Sequence, residues 1–139
     1  MSLLLGAFGP LHLLVVDDDP IIQIILEGHY TALGFSVVTA NNGQEALQAF
    51  KQRIPDIILC DRVMPEMSGA EFLTALREGK EDLSKTVFVF LTALTDRRDR
   101  YAMMELGPDG FLDKPVDFAH ADQALSKLLE KKRGAPPSA

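Results

Sequence analysis

Residues 11–16, 57–60 and 87–91 are nearly unbroken runs of apolar side chains. Such runs suit strands covered on both faces, as in the middle of a parallel sheet. Residues 36–40 and 110–112 are more mixed or shorter, as edge strands tend to be. The segments between these runs carry helix start signals. Asp19 before Pro20 supplies an N-cap and a proline at the first helical position. Asn42 with Glu45, and Ser68 with Glu71, have capping-box spacing, the first with Asn in place of Ser or Thr. Asp117 can cap a last helix in which Phe118, Ala121, Leu125 and Leu128 recur as one apolar stripe. Gly34, Gly79 and Gly107 fall where helices should stop. The pattern is β-α five times over, without internal repeats or low-complexity segments. Right-handed crossovers turn it into an α/β doubly wound parallel sheet with helices on both faces, a three-layer sandwich. Three buried-type strands and two edge-type strands predict the order 2-1-3-4-5. A ligand site is then expected where the first and third strands end.

Composition narrows the function classes. The 139 residues fit one domain with a well-buried core. A net charge of -6 argues against a nucleic-acid surface. The one basic run, Lys131-Lys132-Arg133, reads as a solvated helix end. A lone cysteine, Cys60, excludes an internal disulfide framework and suits a reducing cytoplasm. It precedes Asp61 and so points to the other face of its strand, as a small buried hydrophobe. No apolar run is long enough to span a membrane. The apolar start lacks a basic flank and is broken by Gly6, Gly9 and Pro10, so it does not read as a secretion signal. Residues 1–10 are expected to be a tail, an added remnant or a join to an upstream domain. Residues 11–133 form the domain, and 134–139 a tail or linker.

The chemistry lies where the strands end. The first runs into Asp17-Asp18-Asp19, the third into Asp61, the fourth into Thr92 and the fifth into Lys114-Pro115. Crowded carboxylates repel one another unless a cation intervenes. Mg²⁺ suits them, taking a few hard oxygens and leaving positions for water and phosphate. A carboxylate held there can act as a nucleophile toward a phosphodonor and form an acyl phosphate.

The stretches LLVVDDDP, PDIILCDRVMPEMSG, VFVFLTA and GFLDKP, in this order, resemble the receiver-domain signatures of two-component response regulators. The resemblance covers roughly residues 11–133 and implies the flavodoxin-like fold. It implies Asp61 as phosphoryl acceptor, followed by the Met64-Pro65 and Ser68-Gly69 of the usual loop. Asp17 and Asp18 match the acidic pair, with Asp18 the more direct ligand of Mg²⁺ (or Mn²⁺) and Asp17 acting through water. Val63 would lend its backbone carbonyl to the metal. Lys114 would contact the phosphoryl group, across a Lys114-Pro115 bond resembling the family's cis peptide. Thr92 is similar to the switch hydroxyl and Phe111 to the aromatic that follows it. The resemblance further implies a sensor histidine kinase or histidine phosphotransfer protein as partner, and an output domain, partner protein or second copy at the face of the fourth helix, fifth strand and fifth helix. It implies no enzymatic activity beyond self-phosphotransfer and slow autodephosphorylation.

Val63 and Leu94 each lie two residues beyond a site residue, where the family flanks the path of an attacking water. Both are apolar, so a long-lived aspartyl phosphate is expected. The turn 106–110 departs from the family pattern in its Pro108 and second glycine. Tyr101, Met103 and Met104 are expected in the packing of the fourth helix, while His12, His29 and His120 show no metal spacing. The rival reading is a small haloacid-dehalogenase-like phosphatase with Asp17 as nucleophile. It fits poorly beyond Asp17-x-Asp19: Ile21 stands where Thr or Val is usual, and no cap domain fits. A flavin-binding or degenerate module is disfavoured by the acids after the first strand and by the intact Asp18, Asp61 and Lys114.

Overall fold

The computed structural model describes residues 5–64, 66–93 and 97–136, with backbone alone at 97–99. Among the described residues from His12 on, five strands alternate with five helices in chain order. They are β1 (His12–Val16), α1 (Pro20–Ala32), β2 (Ser36–Ala40), α2 (Gly43–Gln52), β3 (Ile57–Asp61), α3 (Gly69–Glu78), β4 (Val87–Ala93), α4 (Arg97–Met104), β5 (Gly110–Lys114) and α5 (Phe118–Arg133). All strand pairs are parallel, and the order is β2-β1-β3-β4-β5. This is the architecture the apolar runs predict.

The apparently unbroken runs conceal a period of two. Leu13, Val15, Ile57, Leu59, Val87, Val89 and Leu91 face α1 and α5, packing with Leu26, Tyr30, Ala121, Leu125 and Leu129. Leu14, Val16, Ile58, Cys60, Phe88 and Phe90 face the other layer, with Phe50 of α2, Phe72 and Leu76 of α3 and Met103 of α4. Central strands need apolar residues at every position because helices cover both faces. Of the edge strands, β2 alternates exposed and half-buried residues before its buried Ala40, and β5 buries only Leu112.

Helix starts follow the capping signals. Asp19 accepts from the Ile21 N–H, Asn42 from Glu45 and Asp117 from Ala119 and His120. Ser68 and Glu71 form a complete capping box. The Glu45 carboxylate reaches back past Asn42 to the Asn41 N–H, so the second box closes one residue early. Gly34 and Gly107 follow their helices at positive φ, whereas Gly79 caps α3 in right-handed geometry.

Three expectations need correction. Leu5, inside the expected tail, is fully buried in the α1–α5 layer, and Phe8 packs against that layer. The basic helix end is anchored at two of its residues. Lys132 pairs with Asp109 at 2.9 Å, and Arg133 with Asp56 at 2.7 Å. Both residues also donate to backbone carbonyls just before β4, those of Thr86 and Lys85, which a solvated run would not. Of the α4 residues expected in packing, Met103 is buried but Tyr101 and Met104 are exposed.

Candidate functional site

The site grows out of the strand register. Val16 of β1 pairs with Cys60 of β3, so Asp17 and Asp61 leave the ladder side by side. On the other flank, Asp61 pairs with Leu91, with Thr92 the next residue along β4. Ala93 pairs with Lys114, which brings the lysine from β5 to the same rim. The Lys114-Pro115 bond is cis, as expected.

Lys114 Nζ stands 2.9 Å from Asp17 Oδ2 and 3.1 Å from Asp61 Oδ1. Asp17 is fully buried, and its Oδ1 accepts from the Asp19 N–H at 2.9 Å. Its Oδ2 has the lysine charge beside it but no partner in hydrogen-bond geometry. Asp18, exposed on the loop, completes a trio in which one oxygen each of Asp17, Asp18 and Asp61 lies within 4.8 Å of the others. Three hard carboxylate oxygens, one of them from the fully buried Asp17, fit a divalent ion such as Mg²⁺.

Electrostatics sharpen the picture. Burial and the neighbouring Asp17 charge push the Asp61 carboxyl up from its ordinary range, against the pull of Lys114. Burial alone would lower Lys114, but the Asp17 and Asp61 carboxylates outweigh it and hold the ammonium up. Burial pushes the Cys60 thiol well up, with Asp61 adding to the effect, so Cys60 is a core residue and not a thiolate.

Gly69 is required by close approach. A Cβ there would collide with the Asp61 carbonyl oxygen and stand 3.1 Å from Cys60 Sγ. The start of α3 can press against the Asp61 backbone only because residue 69 has no side chain. Thr92 is buried at the end of β4. Phe111 stacks near Phe90 at 6.1 Å, with the Arg100 guanidinium 5.1 Å from its ring centroid. Arg100 also pairs with Asp113 at 3.0 Å, joining α4 to β5. Val63 is exposed in the loop after β3, while Leu94 and Pro65 lie outside the described residues.

The sequence reading missed Gln23. Its amide Nε2 donates to the Asp17 carbonyl at 2.5 Å and to Asn41 Oδ1 at 2.8 Å. The available signal was a single polar residue interrupting an otherwise apolar stretch of α1.

With this geometry in hand, comparison with known proteins is specific. The family described as the response regulator receiver domain matches residues 13–126. A curated protein of Guillardia theta, "Probable transcriptional regulator ycf27", is 35% identical over 118 residues, covering 85% of this chain and 45% of the relative. The chain spans about half the length of the curated relatives it matches. Among solved structures, the signal receiver domain of a Syntrophus aciditrophicus signal transduction histidine kinase has a TM-score of 0.78 at 29% identity, covering 93% of this chain and 97% of that one. The Saccharomyces cerevisiae co-crystal structure of the histidine phosphotransfer protein Ypd1 with the receiver domain of Ssk1 gives a TM-score of 0.78 at 26% identity, over 90% of this chain and 93% of that one.

Proposed function

Since the chain belongs to the response regulator receiver domain family of two-component signalling, we propose that Asp61 accepts a phosphoryl group from a phosphohistidine, with Mg²⁺ or Mn²⁺ bound. The observation that carries this reading is the convergence of Asp17, Asp18, Asp61 and Lys114 on one rim from three strand ends. An Asp61 carboxylate oxygen attacks phosphorus and forms the new O–P bond. The donor's N–P bond breaks, and its electron pair returns to the imidazole nitrogen. The Asp17, Asp18 and Asp61 carboxylates and the Val63 carbonyl would hold the divalent ion, which when bound neutralises charge on the transferred oxygens. Lys114 would exchange a carboxylate contact for a phosphoryl oxygen, and the Thr92 hydroxyl would donate to another. Phe111 and the Arg100–Asp113 pair on the adjoining face would carry the change outward to an output domain, a partner or a second copy. No other turnover is assigned to the domain beyond slow loss of its own phosphate.

The donor is a sensor histidine kinase or a histidine phosphotransfer protein, as in the Ssk1 complex with Ypd1. Ile21, Ile24 and Ile25 of α1 are 49–69% exposed and share one helix face that starts beside the acidic loop. That apolar face would receive the donor's helix. Incubation with a small phosphodonor and Mg²⁺, followed by mass mapping, is expected to place one phosphoryl group on Asp61 and none in Asp61→Asn. A label on Asp17, or one that survives the substitution, would overturn the proposal.

A further inference from the structure

Asp18 is the exposed member of the acidic trio, yet the peptide units on both sides of it are held. The plane between Asp18 and Asp19 is fixed by the Asp19 N–H donating to Asp17 Oδ1 at 2.9 Å. The plane between Asp17 and Asp18 is fixed by Gln23, whose Nε2 donates to the Asp17 carbonyl oxygen at 2.5 Å. A peptide unit is rigid, so clamping the oxygen orients the N–Cα bond from which Asp18 extends.

The direction of the Gln23 amide is set from farther along the same chain of bonds. Glu45 Oε1 accepts from both the backbone N–H of Asn41 and its Nδ2, at 2.9 and 3.1 Å. A carboxylate with these contacts is an acceptor, so the Asn41 amide turns its NH₂ toward Glu45 and its Oδ1 toward Gln23. Gln23 must then present its own NH₂, 2.8 Å from Asn41 Oδ1, and the second proton of that group meets the Asp17 carbonyl. The relay from Glu45 through Asn41 and Gln23 ties the loop after β1 to the start of α2. It leaves the Gln23 amide a single workable orientation.

We infer that Gln23 is a positioning residue for the divalent-ion site, acting through the Asp17 carbonyl to hold Asp18 in ligating geometry. The inference rests on the proposed Mg²⁺ dependence. Partners that orient metal ligands are commonly worth 10- to 100-fold in affinity. Here one of two clamps on a single ligand is removed, so a loss of roughly tenfold is expected in Gln23→Leu.

The test is titration of the purified chain with Mg²⁺ alone by calorimetry, alongside thermal unfolding in chelator and in saturating Mg²⁺. Gln23→Leu and the more flexible Gln23→Met are compared with wild type. Weaker Mg²⁺ binding by roughly tenfold, with a chelator Tm within a few degrees of wild type, is the expected result. Affinity within twofold of wild type would overturn the positioning role. A Tm that falls equally in chelator and in Mg²⁺, in both variants, would assign Gln23 a structural role and overturn it as well. A wild type that binds no Mg²⁺ would fail differently, because it removes the metal-dependent reading on which the inference stands.

Discussion

At the scale of residues, Asp61 is held in tension. Its carboxylate is mostly buried beside the fully buried Asp17, and a single ammonium, Lys114, serves both. Its folded-state pKa lies above the ordinary value of 3.8. The folded chain therefore keeps the Asp61 proton more tightly than the unfolded chain does. Stability falls as pH rises from 3.8 through the raised value, and the loss persists at neutral pH. Asp61→Asn removes that loss while leaving Lys114 paired with Asp17. In chelator at pH 7 the variant should melt above wild type. The gap should close below pH 3.8. A variant no more stable than wild type at pH 7 would contradict the raised carboxyl. Val63 bears on the phosphorylated state instead. It is exposed and cannot hydrogen-bond a water through its side chain. Val63→Asn should therefore shorten the lifetime of the acyl phosphate by several-fold, read as the rate of phosphoryl loss after donor removal. An unchanged rate would count against the expected longevity.

At the scale of elements, α1 does two jobs on different faces. Leu26 and Tyr30 pack into the core, and Tyr30 with His29 reaches the buried Asp122 of α5 at 2.9 and 2.8 Å. These bonds lock the two helices together. The opposite face presents isoleucines where a solvated helix would carry charge. Full burial of one such side chain is worth about 1.5–3 kcal/mol, so Ile24→Glu should slow transfer from a histidine phosphotransfer partner at least tenfold. Labelling by a small phosphodonor should stay within twofold of wild type, because the substitution lies outside the acidic trio. Equal losses with both donors would show that the substitution damages the acceptor site itself. Gly69 marks the other element junction that matters. The contact between the start of α3 and the Asp61 backbone exists because no side chain intervenes.

At the scale of the whole molecule, the two rims of the sheet are built differently. The carboxyl-end rim gathers the Asp17, Asp18 and Asp61 carboxylates beside Lys114. The opposite rim closes its charges into pairs, Lys132 with Asp109 and Arg133 with Asp56, which pin the last turn of α5 to the strand starts. Cations there also complement the helix C-terminus. Among the described residues, no helix is long and apolar enough to cross a membrane.

The sequence by itself determined the element order, the strand order and most of the acidic rim. Strand apolarity, caps and strand-end acids are local signals, and a parallel βα alternation admits few topologies. Asp17, Asp18, Asp61, Thr92 and Lys114 were readable because each lies at the end of an apolar run, and Phe111 because the order of these stretches resembles a known family. Only the tertiary structure decided which side chains answer one another across sequence distance. Lys114 bridging Asp17 and Asp61, Gln23 clamping the Asp17 carbonyl, Leu5 entering the core and Lys132 closing on Asp109 all depend on that folding. Such contacts leave no periodic trace, since each joins residues whose separation along the chain carries no rule.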